Sequence, residues 1–544
     1  MEKNRMKAFF IMVVITIMAL TGCSKTDNVI TPASGDNILR LVTADEQTTC
    51  DVQKTTEYYT MPLNIFERLV ETQTNLDGTS ELVPGLAENW DISDDGLIYT
   101  FYLRKGVKFQ NGEEFKADDV VYTFERMLKP ETNALNQDFI MAVKGAADMM
   151  EGTTDKLEGL EVIDDYTIKM TLEDPFAPFL ANLATPGVSI YNRKFTEEAG
   201  DQFGLMPEKT CGTGPFMLSK WELNSETQID AFDGYWKGRP KLDAVNFKTV
   251  KDADTQRMMF ENGELDEFDC DEAPSQIAYF AESDKYKDWI KVGNRVGTTY
   301  YSINQGIEPF NDVRIRKAFQ MSFDKQQLLN TLYDGRGTVA NGIIPPGLIG
   351  YNPDLPEIKY DPEKAKKLMS EAGYPNGFEM DICMVTDSPD TLRINEMVQS
   401  MLSKVNIKAN LVQKDEASWY GVRAEGNLGS YTSTWSADFN DPDNFFYTFF
   451  APQNTVKRSF NYDNPEASNK VAEARKMNDQ DERIKLYQEL EKQIIQEDAA
   501  WVPLYSRQHI YVVNPRVQNY VVMWNGWTGN MYYNMYIDNT KAPQ

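Results

Sequence analysis

Only one stretch of this chain is apolar for long enough to engage a membrane, and it lies at the start. From Ala8 to Leu20 no charged residue intervenes, and Lys3, Arg5 and Lys7 precede the run. Thirteen residues fall short of the roughly 20 that a spanning helix needs, and the basic flank is that of a secretory signal peptide. The run ends in Leu20-Thr21-Gly22-Cys23, which matches the lipobox of bacterial lipoproteins, where the Cys is acylated before cleavage. A short retained membrane anchor is the competing reading. No second apolar run approaches membrane length, so the rest of the chain must bury its apolar residues by folding in water.

Residues 1–22 thus read as a lipoprotein signal and 23–37, polar with Pro32 and Gly35, as a flexible tether. Each buried CH₂ of a lipid on Cys23 contributes about 0.8 kcal/mol, so two or three acyl chains anchor durably. The chain has 83 acidic against 55 basic residues, a net charge of −28, and the signal region itself is basic. That balance excludes nucleic acid, whose binding rests on neutralised phosphates. It also excludes flat adhesion to anionic lipid. A single core seldom grows beyond about 250–300 residues, so 544 residues imply two or more domains. Besides Cys23 there are Cys50, Cys211, Cys270 and Cys383, without a CxxC pair. One or two disulfides are open, with no pairing assignable.

Periodicity gives a mixed picture. Ile38–Thr43 reads as a strand. Asp94-Asp95-Gly96 is a turn, and Leu97, Tyr99, Phe101 and Leu103 then alternate as one buried face. Ala117–Leu128 reads as a helix halted by Pro130, and Tyr166, Ile168, Met170 and Leu172 as a second alternating strand. Asp361-Pro362 opens a helix that Gly373 closes. Ile484, Tyr487, Leu490 and Ile494 share one helical face. The class is α+β with α/β portions.

A search for chemistry returns little. The single histidine, His509, cannot build an HExxH site, and it reads as a half-buried strand residue. There is no GxSxG elbow and no phosphate loop, and Gly212-Thr213-Gly214-Pro215 reads as a turn. No carboxylate pair stands out. The chain is read as a non-enzyme without a cofactor.

Several blocks, taken together and in order, resemble the peptide and nickel class of bacterial solute-binding proteins of ABC importers. They are Leu86–Trp90 with Asp95–Leu97, Tyr99–Phe101 and Leu103–Phe109; Asn111-Gly112; Ala117–Val120 with Tyr122–Phe124; Gly212–Phe216; Gly234–Trp236; and Gly263–Asp266. Further on come Val313–Ala318 with Asp324; Tyr360–Pro362 with Ala365, Leu368 and Ala372–Tyr374; and Trp435–Asp438 with Asp441-Pro442. The resemblance implies a two-lobed periplasmic-binding-protein clamp with an additional inserted subdomain, closing over a peptide. Lobe I would be 38–60, 190–296 and 510–544, with 61–189 inserted and 297–509 as lobe II. Hinge crossings fall near Val296–Thr299 and Tyr505–Tyr511. The implied partners are a peptide ligand and importer permease subunits. The protein would be a monomer held outside the cytoplasmic membrane by lipid on Cys23.

By the same resemblance Asp438 would hold the peptide α-ammonium, since a buried ammonium needs a carboxylate. The alternative is a capping or turn Asp beside Asn440-Asp441-Pro442. Thr434, Trp435 and Ser436 would offer backbone to an added ligand strand. Trp435 either walls a pocket or packs in the core. Tyr58, Tyr59 and Thr60 would face them, and Tyr300, Tyr301 and Asn304 are supporting candidates. The family's two carboxylate-binding arginines correspond to Val385 and Thr432 here, and a groove Trp to Glu416. Arg393 is a substitute cation, and Glu416 would favour a basic side chain. A nickel chelate, haem, an oligosaccharide or a peptide-sensing receptor role are the alternative readings.

Overall fold

In the computed structural model, residues 37–44, 47–56, 59–75, 78–386, 388–524 and 529–542 are described. The signal, Cys23 and most of the tether lie outside them, as does Tyr58.

The strand Ile38–Thr43 pairs in parallel with Ala244–Thr249, which continues antiparallel through Glu226–Ala231 to Phe216–Glu222. Gly212-Thr213-Gly214 leads into this sheet as a packing device as well as a turn. A Cβ on Gly212 would lie 2.0 Å from the Ile65 carbonyl oxygen, and one on Gly214 2.6 Å from that of Asn64. Only glycine admits that backbone approach.

The alternating segments build a separate antiparallel sheet in the order Ala87–Ile92, Ile98–Leu103, Thr167–Thr171, Leu160–Asp164. At its DDG turn the Asp95 carboxylate accepts from Ser93 Oγ at 2.5 Å and Leu97 N at 3.1 Å, while Gly96 takes φ +71°. Tyr99, Phe101, Leu103, Ile168 and Met170 all point to one core, which the helix Ala117–Leu128 covers. Asp119 fixes that helix's start by accepting from Lys116 N at 3.0 Å and Arg193 N at 2.9 Å.

Two further sheets meet end to end. One runs Glu267–Asp269, Gln508–Val513, Ile290–Asn294; the other runs Thr338–Val339, Trp501–Ser506, Gly297–Ser302, Thr432–Ser436; both are antiparallel. The chain passes between them at Arg295–Val296 and again at Arg507. Gly297–Ser302 and Trp501–Ser506 are buried at every position. Tyr300, Tyr301 and Asn304 are therefore core residues: the Tyr300 ring lies 4.4 Å from that of Trp501, and Asn304 Nδ2 donates to the Gly426 and Leu428 carbonyls. The helix opened by Asp361-Pro362 runs Pro362–Glu371 with Gly373 at φ +98° beyond it. The mixture is α+β throughout.

Two readings change. His509 is fully buried rather than half-buried, with Nδ1 2.5 Å from an Asp271 oxygen. Burial strips that carboxylate of hydration, but His509, Arg295 and Arg507 together outweigh the loss and hold it below the usual range. Cys50, Cys211, Cys270 and Cys383 are all free and buried, so none forms a disulfide; burial pushes the Cys211 thiol up to about 12.

Candidate functional site

The strand Thr432–Ser436 is the edge of its sheet. One side pairs with Gly297–Ser302, Thr434 opposite Thr299 and Ser436 opposite Gly297. Its other side has no strand among the described residues, and such an edge presents backbone donors and acceptors to an extended ligand. Thr434 is exposed, and its hydroxyl lies 2.8 Å from that of Thr299.

Beyond the strand, Ala437 N donates to the Val296 carbonyl at 2.7 Å, and the next residue is Asp438. Asn444 on the helix Asp443–Phe450 orients it: Asn444 Nδ2 donates to Asp438 Oδ2 at 2.9 Å and Asn444 Oδ1 accepts from Asp438 N at 3.2 Å. The turn role weighed for Asp438 falls to Asp441, whose carboxylate accepts from Asp443 N at 2.8 Å and pairs with Arg483. Asp438 is half-buried and has no ion-pair partner among the described residues. Burial pushes its carboxyl above the usual range, against the bond from Asn444 and the charge of Arg458.

Trp435 is neither plain core nor a bare wall. Its Nε1 donates to the Asn444 carbonyl at 3.1 Å and Oδ1 at 3.0 Å, so it steadies the residue that steadies Asp438. Its ring meets Phe449 edge-on at 5.5 Å and carries the Arg458 guanidinium at 4.8 Å.

Asp438 opens onto a narrow cleft whose other walls come from far away in sequence: Leu63, Arg68 and Glu71, then Pro186, then Trp524 and Met531. Arg68 and Glu71 form a buried pair that the sequence reading missed; the only signal was two opposite charges three residues apart inside an apolar segment.

The other candidates lie elsewhere. Tyr59 is buried in the core beside the Ile38–Thr43 sheet, with its hydroxyl donating to the Thr55 carbonyl at 3.1 Å, so its side chain does not line the groove. Thr60 is half-buried and its carbonyl accepts from Asn64 Nδ2 at 2.9 Å. Glu416 is exposed at the start of the helix Glu416–Ala424. Arg393 is exposed on the helix Pro389–Ser403, donating to the Thr331 carbonyl at 3.1 Å. Neither lines the cleft beside Asp438.

Residues 81–457 match the family model for bacterial extracellular solute-binding proteins, family 5. Heme-binding protein A of Haemophilus influenzae is 32% identical over 499 residues, covering 89% of this chain and 88% of that protein. The dipeptide-binding protein of Escherichia coli K12 is 32% identical over 488 residues, covering 86% and 88%. Among solved structures, the ABC transporter-associated periplasmic binding protein DppA of Helicobacter pylori, in complex with the peptide STSA, superposes with a TM-score of 0.74 at 26% identity, covering 92% of this chain and 98% of that one. The expected α+β clamp of two lobes is the fold of these neighbours.

Proposed function

Since the chain belongs to family 5 of the bacterial extracellular solute-binding proteins, which bind substrates for transport and are not enzymes, we propose that it captures peptides beside Asp438 and delivers them to the permease of an ATP-driven importer. The observation that carries this reading is Asp438 itself: a carboxylate held in place by Asn444, partly withdrawn from water, without a cation, at the end of an open strand edge. A peptide ammonium supplies the missing charge, and the edge of Thr434–Ser436 supplies main-chain bonds. The names of the dipeptide-binding relative and of the peptide complex support the cargo class. The lobes would divide as the sequence reading has it, turning about the two passages at 295–296 and 507. Acyl chains on Cys23 would keep a monomer at the outer membrane face.

Calorimetry with one tripeptide in free and N-acetylated forms tests this. The free form binds and the acetylated form loses thirtyfold or more, given about 2–5 kcal/mol for truncating a buried charge pair. Equal affinity for both forms, or haem binding with no peptide binding, would reject it.

A further inference from the structure

We infer that the clamp, when closed, carries a latch of its own: the link 475–478 of the second lobe is gripped by the inserted subdomain at 174–177, and this grip scales the affinity for every ligand by one common factor. The inference rests on the clamp reading above and not on the cargo, so its test can succeed where the peptide assignment fails.

The chain runs between the assigned lobes at 295–296 and at 507, so contacts made between them elsewhere open and close as the lobes turn. The link follows the helix Pro465–Ala474 and precedes the helix Gln480–Lys492. Its first residue is fixed from within the second lobe. Arg475 Nη2 donates to Asp443 Oδ2 at 3.0 Å, and the guanidinium lies 3.4 Å from the centre of the Tyr447 ring. The inserted subdomain then meets the same residue twice. The Phe176 ring lies 4.7 Å from that guanidinium, and Ala177 N donates to the Arg475 carbonyl at 2.9 Å. One residue on, Lys476 Nζ is 3.5 Å from Asp174 Oδ2. Asn478 comes so near the DDG turn that a Cβ on Gly96 would lie 2.6 Å from its Oδ1. A backbone bond, a cation against a ring, an ion pair and a close approach thus converge on one short link.

Two contacts join the same lobes at other places. Asn440 Nδ2 donates to Ser80 Oγ at 2.8 Å. Trp524, from the C-terminal segment, is buried in the apolar cluster of the second lobe, where its Nε1 donates to the Gly347 carbonyl at 2.6 Å. Trp524 also walls the Asp438 cleft, whereas the residues at 174–177 and 475–478 do not, so only the latter separate closure from ligand contact. Affinity is scaled by the fraction of protein in the competent, closed form, and a contact between lobes changes that fraction identically for any cargo. Asp438 adds only to ligands that carry an ammonium.

The test is a charge swap between two exposed residues, which leaves every core intact. Lys476→Glu and Asp174→Lys each set like charges against one another, and the double variant Asp174→Lys/Lys476→Glu restores the attraction. Calorimetry on the four proteins uses Leu-Ala-Ala, N-acetyl-Leu-Ala-Ala and haem as probes. Each single variant should weaken whichever probes bind by one shared factor of about two- to tenfold, the scale for an exposed pair turned to repulsion. The double variant should return to within about twofold of wild type, and high salt should shrink all these differences. Phe176→Leu, which keeps an apolar side chain but removes the ring from the guanidinium, should add a shared loss of about two- to fivefold. Unchanged binding in the single variants, no recovery in the swap, or losses that differ more than about threefold between probes overturns the inference. If haem alone binds and follows the swap, the peptide reading falls and the latch stands. If no probe binds, the peptide reading falls, and small-angle scattering of the ligand-free proteins decides. Single variants more expanded than wild type, with the swap restored, then uphold the latch, and equal radii reject it.

Discussion

Asp438 and the pair Asp441 and Asp443 sit within six residues of chain, and their environments are opposite. Asp441 is 4% exposed and takes a two-pronged bond from Arg483, at 2.7 and 2.5 Å. Asp443 receives Arg475 at 3.0 Å and the Tyr487 hydroxyl at 3.2 Å. Asp438 has the amide of Asn444 and, without an ion pair, the more distant charge of Arg458. The first two acids are ion-paired within the fold, whereas the third is presented to a cleft with no ion pair among the described residues. Buried acids are retained when paired, so an oriented acid without a cation marks the place where something from outside completes the pair.

The contrast breaks most visibly at Arg483. Arg483→Met leaves Asp441 charged and buried, which costs about 3–5 kcal/mol of stability, read as a large drop in urea midpoint. If it melts like wild type, the pairing carries no weight and the contrast collapses. Next comes Asp438→Asn. Binding of a free peptide should fall by about thirtyfold to several thousandfold, while stability without ligand barely moves. In the double cycle with the acetylated peptide the penalties must not add, since both changes remove one interaction; additive penalties would separate Asp438 from the ammonium. The wild-type affinity should also fall on acidification at a higher pH than an ordinary Asp would give, because burial raises this carboxyl and only its ionised form holds the ammonium.

Glu491 sharpens the rule. It too is buried without a cation, yet it lies away from the Asp438 cleft, and Oε1 accepts from Ile343 N at 2.6 Å and Ile344 N at 2.9 Å. Burial pushes its carboxyl from 4.5 up to about 7 despite those bonds. A raised acid binds more protons folded than unfolded between these values. Its contribution is therefore full below pH 4.5 and is lost as pH rises through about 7. Glu491→Gln, which can keep both bonds, should raise stability at pH 8 by up to about 3 kcal/mol and leave it unchanged near pH 4. A gain that does not depend on pH would show that ionisation is not the cause. Glu491 lines a small cavity of its own, with Tyr351 and Leu355, and what separates it from Asp438 is that two backbone N–H groups already hold its carboxylate.

Local structure was legible where one segment decides it. The DDG turn, the alternation Tyr99–Leu103, the helix Ala117–Leu128 and the Asp361-Pro362 helix start depend on residues a few positions apart, and each formed as read. Burial set by distant partners was not legible. His509 alternates like a half-buried strand residue, but Asp271, 238 positions away, receives it in the interior. Tyr59 was placed at the groove by resemblance to the family, and the core claimed it. In the site, Asp438 and Trp435 could be named because they share a local block. Arg68 could not, because only the fold brings it to the cleft of Asp438, 370 positions further on, which no local pattern encodes.

The smallest expected effect tests whether the orientation of Asp438 matters in addition to its charge. The Trp435 side chain hydrogen-bonds to Asn444, with Nε1 3.0 Å from Asn444 Oδ1, while its ring packs against Phe449. Trp435→Phe keeps much of the packing and deletes the donor, so Asn444 loses one of the bonds that fix its rotamer. Net hydrogen-bond contributions near 1 kcal/mol set the scale, or about fivefold in affinity. The loss should be confined to ligands with a free ammonium and be nearly absent for the N-acetylated peptide. An equal loss for both would mean that Trp435 contacts the ligand directly. No loss for either would mean that Asn444 holds Asp438 without help, and the chain of support would end one residue earlier.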